Sequence, residues 1–544
     1  MTDAPAPTES KTGALAPLRI AIFRALWIAV LVSNIGSWMQ TVGAQWLLVD
    51  EKASPVVIAL VQTASSMPVL LLGIPAGVLA EFINRRRLLI GVQSFQVLAG
   101  VVLTVLTALG EMSPALLLVM TFLIGAASAI QLPAYQALVP EIVPRAMIRD
   151  AAGLSSVGVN IARAIGPAVA GLIIAHAGIP LVFAINAATF LAFLLVLVAW
   201  RDYRPVPNRP EPFMDATRAG IRYIRNAPVM MQILLQLALF MIPANALWAL
   251  LPVVASEHLK LEANGYGLLL AALGVGSVGG AFLLPAIRKV LDTSHIVLIA
   301  SVVFGAVMVA LVLVSDLWIV IPLLVVGGIA WIGVVIALNG TTQAFLPAWV
   351  RARGLSVYQL VLFGCTAAGA AAFGAVATAL GATNTMWVAG VLTILTAARL
   401  LWRPLPSTDL DRTASVLPLS DLPTELATPD EATEDRPVVV SVRYHVPEER
   451  RGEFTALMPL LRSSRLRTGA ATWSLLEDPG RPGTFVELFT VRSWREHVSQ
   501  HAGRQTGYDE SLIERAHALS IDPPVIAHLL EVPVDSGRGG GVRR

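Results

Sequence analysis

The sequence predicts an all-α membrane protein with twelve transmembrane helices in two six-helix pseudo-repeats, followed by a C-terminal α+β ferredoxin-like domain. Between residues 20 and 403 lie twelve apolar stretches, each with about the 20 mostly apolar residues that a helix needs to cross a bilayer. Of the 544 residues, 56% are hydrophobic and 14% charged, and the mean hydropathy is +0.70. These values lie outside the range of ordinary soluble domains. After residue 404 the pattern changes to short alternating and helical segments, which predict a soluble domain.

The helices follow one another in chain order with one longer connection in the middle. The first six are predicted at residues 23–49, 55–83, 88–109, 113–139, 151–176 and 180–200, and the last six at 229–254, 265–287, 294–314, 317–346, 354–379 and 383–402. The predicted domains are a disordered tail (1–19), a first bundle (20–200), a middle loop (201–228), a second bundle (229–403), a flexible acidic linker (404–436), an α+β domain (437–533) and a second disordered tail (534–544). The first tail lacks the apolar core and cleavage site of a signal peptide.

Basic residues fall almost entirely on one side of the predicted membrane. When the connections are numbered alternately, about twenty Lys and Arg residues lie on one side, and only Lys52 and Lys260 on the other. Because cytoplasmic connections carry the excess of basic residues, both termini and the middle loop are predicted to be cytoplasmic.

Two short matches suggest that the bundles are repeats, although chance matches are possible in a chain rich in Gly and Ala. Four residues recur 203 positions later and three recur 207 positions later: Gly73, Gly77, Arg85 and Arg86 as Gly276, Gly280, Arg288 and Lys289, and Gln136, Ala137 and Pro140 as Gln343, Ala344 and Pro347. Parallel repeats are a known transporter plan in which the site lies between the halves.

Composition excludes several function classes. A net charge of +3 is too small to indicate nucleic-acid binding, and the single cysteine, Cys365, allows no disulfide framework, Cys-based metal site or thiol pair. The chain has no phosphate-binding loop that would indicate ATP hydrolysis. No cofactor and no metal site are predicted; the expected partners are the lipid bilayer and a small-molecule substrate.

Arg163, near the middle of helix 5, is the charge that the sequence places deepest in the membrane. A charge at this depth is costly and suggests a functional site. Facing a cavity, it would favour substrates with acidic or strongly hydrogen-bonding groups; alternatively, it hydrogen-bonds backbone carbonyls and polar side chains between helices. Both possibilities remain open.

Neutral polar residues within the helices suggest a wet interior. For each one, hydrogen bonding between helices and substrate contact are both possible. The predicted path residues besides Arg163 are Asn34, Gln40, Gln45, Gln131, Tyr135, Gln136, Gln236, Asn245, Asn339, Gln343 and Tyr358.

The spans carry no Asp or Glu at mid-depth. This absence argues against coupling through a buried carboxylate in the middle of the membrane. A proton remains the expected coupling ion, and the candidate titrating groups are those at helix ends: Asp50, Glu81, Glu141 and His176.

Two motifs resemble those of the major facilitator superfamily. Gly77 to Glu81 followed by Arg85, Arg86 and Arg87 resembles its loop signature, with departures at Glu81, Phe82 and Asn84. Arg163 to Gly171, including Gly166 and Pro167, resembles its antiporter signature. The resemblance implies gating roles for Gly77, Glu81, Arg85, Arg86, Gly166, Pro167 and Gly171, and a central path lined by helices 1, 4, 7 and 10. A packing role for the glycines and membrane anchoring for the arginines remain the alternatives.

The stretches 139–145 and 160–167 resemble the exporter branch that includes enterobactin and macrolide efflux proteins. This resemblance implies a bacterial inner or plasma membrane protein and outward transport. The leading hypothesis is a secondary active exporter, not an enzyme, that moves a siderophore, macrolide or other amphipathic drug-like compound by alternating access. The alternatives are a membrane-tethered oxidoreductase and a ligand-sensing receptor, both using the C-terminal domain.

The C-terminal domain is predicted to contain elements in the order β-α-β-β-α-β, a ferredoxin-like pattern. The strands are predicted at 438–444, 471–477, 484–491 and 525–531, and the helices at 448–467 and 493–520. Residues 465–470 with Trp473, and residues 493–497, resemble the dimeric α+β barrels of the antibiotic-biosynthesis monooxygenase type. The resemblance implies dimerisation or ligand sensing rather than catalysis.

Four residues of this domain are candidates for a site. His497 and His501 are spaced to share a helix face, which we predict to be solvated; the same spacing could hold a metal, but the sequence shows no third ligand. Glu487 could line a pocket together with Trp473, which could equally belong to an apolar core.

Overall fold

The computed structural model describes residues 15–201, 203, 220–406, 414–416 and 434–531. The chain divides into two compact units. We call the first the helical unit; it comprises Met1–Glu211, Ile233–Gly340 and Tyr358–Leu405. The second, the C-terminal unit, comprises Pro212–Gln232, Thr341–Val357 and Pro406–Arg544.

Twelve helices in the described part of the chain are long and apolar enough to cross a membrane, which confirms the predicted twelve spans. They are α1 (Ala21–Asp50), α2 (Pro55–Phe82), α3 (Arg85–Ala108), α4 (Pro114–Ile142), α5 (Ile148–Ala177), α6 (Ile179–Ala199), α7 (Pro228–Val253), α8 (Ala263–Ile287), α9 (Thr293–Leu313), α10 (Leu317–Phe345), α11 (Ala348–Leu380) and α12 (Ala382–Trp402). A π-helical turn, Val254–His258, extends α7.

Local sequence sets several helix boundaries. The side chains of Asn84 and Ser113 accept hydrogen bonds from backbone amides in the first turns of α3 and α4, which satisfies donors that lack a partner within the helix. Gly178 and Gly381 form the tight connections α5–α6 and α11–α12 with φ of 82° and 79°, a conformation that favours glycine.

The C-terminal unit is built on an antiparallel sheet. Its strands are β2 (Val438–His445), β3 (Thr472–Glu477), β4 (Thr484–Val491) and β6 (Val525–Leu530), in the order β3-β4-β2-β6. Helices α13 (Glu448–Thr468), α14 (Trp494–His501) and α15 (Gly507–Ala518) follow β2 and β4. A short strand, β1 (Ala414–Val416), pairs with β5 (Ala502–Thr506). The core holds alternate residues of β2 and β4 together with Phe454, Leu461 and Trp494.

The prediction of a single helix over 493–520 is wrong, because a strand interrupts it. Gly503 has φ of 112°, which ends α14 locally. Thr506 and Asp509 then form a capping box, in which each side chain binds the other residue's backbone amide, and such a box begins a new helix.

Candidate substrate path

A cavity of about 330 Å³, which we call the central cavity, lies between helices of both predicted bundles. Helices α1, α2 and α5 contribute one wall, and α7, α10 and α11 the other. Its described lining consists of Asn34, Ser37, Trp38, Thr41, Gln62, Ser65, Ser66, Arg163, Met241, Asn245, Trp248, Trp331, Ile332, Val335, Leu362, Phe363 and Thr366. The lining therefore combines hydroxyl and amide groups with three indole rings and one guanidinium group.

Arg163 brings an unsatisfied charge to this cavity. Its Nε and Nη1 atoms are buried and have no hydrogen-bond partner in the described part of the protein. The guanidinium carbon lies 5.6 Å from the centre of the Trp38 ring, a distance at which a cation and an aromatic ring attract each other. Buried donors without partners are costly, so these two atoms make Arg163 a candidate to bind a hydrogen-bond acceptor.

The indole rings of Trp38, Trp248 and Trp331 form a continuous aromatic wall. Trp38 and Trp248 have ring centres 6.0 Å apart, and Trp248 and Trp331 5.6 Å apart. The Nε1 atom of Trp248 is also buried without a described partner. Sequence reasoning missed these tryptophans because an aromatic residue in an apolar helix carries no signal of which way it faces.

Small residues of α5 fix the position of Arg163. A Cβ atom added to Gly166 would lie 2.9 Å from the carbonyl oxygen of Ile35 and 2.6 Å from Cβ of Trp38. A Cβ atom on Gly171 would lie 2.8 Å from the carbonyl oxygen of Ala263. These glycines therefore allow α5 to pack closely on α1 and on α8.

A second cavity of about 580 Å³, which we call the side cavity, extends toward the connection between α4 and α5. It shares Asn34, Ser37, Ser65 and Phe363 with the central cavity. The predicted path residues Gln131, Tyr135 and Gln136 line it. Because they share these residues, the two cavities lie next to each other between one end of α4 and Arg163.

Six of the predicted path residues therefore reach a cavity: Arg163, Asn34, Asn245, Gln131, Tyr135 and Gln136. The remaining six are Gln40, Gln45, Gln236, Asn339, Gln343 and Tyr358, and none of these is among the described lining residues. Asn339 is half-buried and Gln343 exposed on α10.

Four of those six make hydrogen bonds between helices. Gln40 accepts from Asn186, and Gln236 accepts from Arg399 at 3.3 Å. The Tyr358 hydroxyl donates to the carbonyl oxygen of Val335 at 3.4 Å. A polar residue in an apolar helix gives the same signal whether it binds a neighbouring helix or lines a cavity, so spacing could not separate the two groups.

Gln45 belongs to a contact that joins the two bundles beyond the central cavity. It donates to the carbonyl oxygen of Trp248 at 3.3 Å and accepts from the Tyr266 hydroxyl at 2.6 Å. Trp46 stacks on Tyr266, with ring centres 5.7 Å apart. These contacts lie near the end of α1 and the start of α8, at the opposite end of the bundle from the α4–α5 connection.

The predicted gating arginines bind helix ends. Arg85 forms an ion pair with Glu141, which also accepts from the Tyr203 hydroxyl at 2.8 Å. Arg86 donates to the carbonyl oxygen of Leu197 at 2.8 Å, near the end of α6. A Cβ atom on Gly77 would meet nothing within 4 Å, and the side chain of Glu81 lies outside the described part of the protein.

In the C-terminal unit, Glu487 is fully buried and fully bound. It accepts from Arg465 Nε at 3.1 Å, Tyr444 at 3.0 Å and Trp473 Nε1 at 2.8 Å. Trp473 thus belongs to this network and also packs against the apolar core. Burial raises the pKa of the Tyr444 hydroxyl, and the Glu487 charge raises it further.

His497 lies in the interior, so the prediction of a solvated helix face is wrong for it: its side chain is 1% exposed. Burial and the neighbouring His501 lower its pKa to about 3. The structure also places His528 beside it, with ring centres 4.9 Å apart, a neighbour that the sequence did not reveal. Among the described residues, no group of three or more His, Cys, Asp or Glu side chains is arranged to hold a metal ion.

Comparison with protein families and curated proteins identifies relatives of the chain. A family described as "Transmembrane secretion effector" matches residues 12–535. The chain is 26% identical over 273 residues to the staphyloferrin A transporter of Staphylococcus aureus, covering 50% of this chain and 68% of that protein. It is 23% identical to macrolide efflux protein A of Streptococcus pyogenes, covering 43% and 59%, and 23% identical to the multidrug efflux pump Tap of Mycolicibacterium fortuitum, covering 64% and 86%. The match thus spans less than two thirds of the macrolide efflux protein.

Solved structures share the fold of the helical region. A bacterial homologue of the human lysosomal transporter Spinster, in an inward-facing and unoccupied conformation, aligns with a TM-score of 0.57 at 16% identity, covering 70% of this chain and 96% of that one. A POT family transporter in complex with a thioalcohol-conjugated peptide aligns with a TM-score of 0.58 at 12% identity, covering 70% and 95%.

Proposed function

The chain belongs to the transmembrane secretion effector family, and from that premise we propose that it exports a small amphipathic molecule with an acidic group by alternating access. The family and the relatives make it a transmembrane transporter of the major facilitator type, with siderophore transporters and efflux pumps among its relatives. The identity of the substrate, the direction of transport and the energy source for transport are parts of the proposal.

The observation that carries the proposal is the pair of unpartnered nitrogen atoms, Nε and Nη1, of Arg163 at an indole-lined cavity. A carboxylate or phenolate would supply the missing hydrogen-bond acceptor, and charge-assisted bonds of this kind are the strong ones. Trp38 and Trp248 would pack on the apolar or aromatic part of the same molecule. This chemistry favours a siderophore over a lipophilic cation such as a macrolide.

Alternating access is supported by the arrangement of contacts and cavities. The bundles meet through Gln45 and Tyr266 at one end, while the side cavity extends toward the other end, at the α4–α5 connection. Because basic residues mark that end as cytoplasmic, the described arrangement favours loading from the cytoplasm.

We propose that the proton gradient drives export and that Glu141 is the group that binds and releases the proton. Its ion pair with Arg85 connects the end of α4 to the start of α3. Its hydrogen bond from Tyr203 connects the end of α4 to the segment that follows α6. Protonation of Glu141 would release both partners. The expected outcome is that Glu141→Gln abolishes the dependence of export on the proton gradient.

The test of the main proposal is accumulation of labelled catecholate and carboxylate siderophores and macrolides in cells with and without the protein. We expect lower siderophore accumulation in expressing cells, reversed when the proton gradient is collapsed. Arg163→Gln should reduce export efficiency at least about thirtyfold, roughly 2 kcal/mol, the low end for losing one partner of a buried charged bond.

A matched control is Arg399→Gln, which removes an arginine of α12 that binds Gln236 outside both cavities. It should leave siderophore export unchanged at equal expression. Equal loss in both variants, or preference for macrolides over siderophores, would contradict an acidic substrate bound by Arg163. No change for any compound would favour the receptor hypothesis.

For the C-terminal domain we propose a ferredoxin-like fold that dimerises through its open sheet face. The strand order β3-β4-β2-β6 with antiparallel neighbours supports the fold. One face of the sheet carries exposed apolar side chains, among them Leu476, Val525 and Leu529, and apolar patches of this kind mark interaction sites. Leu529→Lys should reduce the dimer fraction of the full chain in detergent, whereas Leu460→Lys, on exposed α13 surface, should not.

Nothing in the described residues favours the tethered-oxidoreductase alternative. The polar groups around Glu487 are already bound to it. This network is therefore better suited to hold the domain together than to turn over a substrate.

A further inference from the structure

The C-terminal unit includes two segments that belong, by sequence, to the helical region. The described residues 220–232 lead into and begin α7, and residues 341–357 comprise the end of α10, a short connection and the start of α11; both belong to the same unit as the C-terminal domain. We call the contact between these two segments and the domain the seam. The domain is therefore held by the chain at three places rather than by its linker alone.

Aromatic rings form the centre of the seam. Tyr223 is fully buried, and its ring centre lies 5.7 Å from that of Trp349. The guanidinium groups of Arg467 and Arg504 lie 6.0 Å from the Tyr223 ring and 5.1 Å from the Trp349 ring. Trp349 Nε1 also donates to the carbonyl oxygen of Arg504 at 3.1 Å. One indole thus binds the domain both by ring contact and by a hydrogen bond.

One carboxylate holds the charged part of the seam. Glu496 of α14 accepts from Arg222 and, at 3.2 Å, from Arg504. Burial lowers the pKa of Arg504, and the nearby Arg222 and Arg353 lower it further. Glu496 acts in the opposite direction and raises it. Reversing the charge at Glu496 would place a third basic group against Arg222 and Arg504 and make this part of the seam repulsive.

We propose that the seam is an intramolecular brake on transport, an inference that rests on the proposed transport function. Alternating access requires helix ends to move relative to one another. The seam holds the segment before α7 and the α10–α11 connection on one domain, which stabilises the described arrangement. If the seam stabilises this arrangement and not the other states of the transport cycle, the protein leaves this arrangement more slowly. A partner of the domain that loosens the seam would therefore raise the turnover rate.

The test compares Glu496→Arg with the exchange variant Arg222→Glu/Glu496→Arg, which keeps the net charge of the seam. Hydrogen exchange of residues 220–227 and 345–353 in the full chain reports on the seam, and transport of a radiolabelled catecholate siderophore reports on function. We expect faster exchange and a maximal rate raised about fivefold in Glu496→Arg, the low end of typical coupling between sites. KM should stay unchanged, and the exchange variant should return both readouts toward the wild type.

The control is Glu514→Arg, which reverses an exposed charge on α15 away from the seam contacts. It should alter neither readout. Faster exchange in Glu496→Arg with an unchanged or lower maximal rate overturns the brake alone. Unchanged exchange overturns the seam as a stabilising contact. Absence of transport by the wild type overturns the proposed function and the brake together.

Discussion

The helical unit and the C-terminal unit both bury arginine side chains, but they satisfy them differently. In the C-terminal unit, Arg465 pairs with Glu487, and Arg467 pairs with Asp509. In the helical unit, two nitrogen atoms of Arg163 are buried without a partner in the described part of the protein. A buried charge with its partner contributes to the fold, whereas a buried charge without a described partner is a candidate to bind a ligand.

The pKa directions in the C-terminal unit agree with this distinction. Burial alone would lower the pKa of Arg465 and of Arg467, but Glu487 and Asp509 raise both. Burial would raise the pKa of Asp509, yet Arg467 and hydrogen bonds from Ser464 and Thr506 lower it. The partners thus outweigh the cost of burial, so these groups stay charged as pairs.

The largest expected effect comes from breaking a complete pair. Glu487→Ala leaves Arg465 buried without its carboxylate and also removes the acceptor for Tyr444 and Trp473. We expect the free energy of unfolding of the domain to fall by about 3–5 kcal/mol, as for other buried pairs that lose one partner. Hydrogen exchange of β4 amides in the full chain measures this change.

Glu477→Ala is the matched control, since Glu477 pairs with Arg451 on the exposed surface. An exposed pair contributes about 0–1 kcal/mol. If both variants lose a similar amount of free energy of unfolding, the buried Glu487 network contributes no more to stability than a surface ion pair.

A smaller effect is expected from acid. Burial lowers the pKa of His497 to about 3, while the unfolded chain takes up a proton near its ordinary value of about 6.5. The unfolded state therefore binds more protons between these values, and stability falls as pH decreases below about 6.5. From pH 7.5 to pH 5 the loss attributable to His497 should be about 2 kcal/mol.

His497→Gln should reduce this pH dependence without removing it, because burial also lowers the pKa of His517 and His528. Unfolding of the domain, followed by β4 hydrogen exchange at several pH values, provides the measurement. An unchanged slope between pH 7.5 and 5 would contradict a buried, neutral His497.

The number of spanning helices could be predicted from sequence because it depends on summed hydropathy, which does not require knowing which face of a helix is buried. The function of single polar residues could not be predicted in this way. Gln40 and Asn34 both lie in α1, yet Gln40 binds Asn186 and Asn34 lines both cavities. Their difference depends on rotation about the helix axis and on which helix lies opposite.

Arg163 is a candidate on two separate sequence grounds, the antiporter-like motif and its charge. Arg163 is a charge in the middle of an apolar span, and such a charge is conspicuous in any sequence. Its indole neighbours Trp38 and Trp248 come from α1 and α7 and lie 125 and 85 positions away in sequence. Long-range packing, not local pattern, brings Trp38 and Trp248 to Arg163.

The start of α15 has a local signal in the sequence, the capping box of Thr506 and Asp509. The predicted element over 493–520 is one helix, although a Thr followed three residues later by Asp is typical of a helix start. The seam, in contrast, left no local signal: Tyr223, Trp349 and Arg504 come from three distant segments.

The smallest effect on stability is expected from a substitution of Arg163, the arginine without a described partner for two of its nitrogen atoms. Arg163→Met removes a guanidinium whose Nε and Nη1 lack partners and replaces it with a flexible apolar side chain of similar length. Because an unsatisfied buried donor costs about 1–3 kcal/mol, this variant should unfold in detergent at a slightly higher temperature than the wild type, by about 1 kcal/mol in stability, while losing siderophore export. Arg399→Met, which removes a bond to Gln236, should not be stabilised. A destabilised Arg163→Met would instead mean that Arg163 binds backbone carbonyls between helices, the structural role that the sequence left open, and the contrast between paired and unpaired arginines would then no longer separate fold from function.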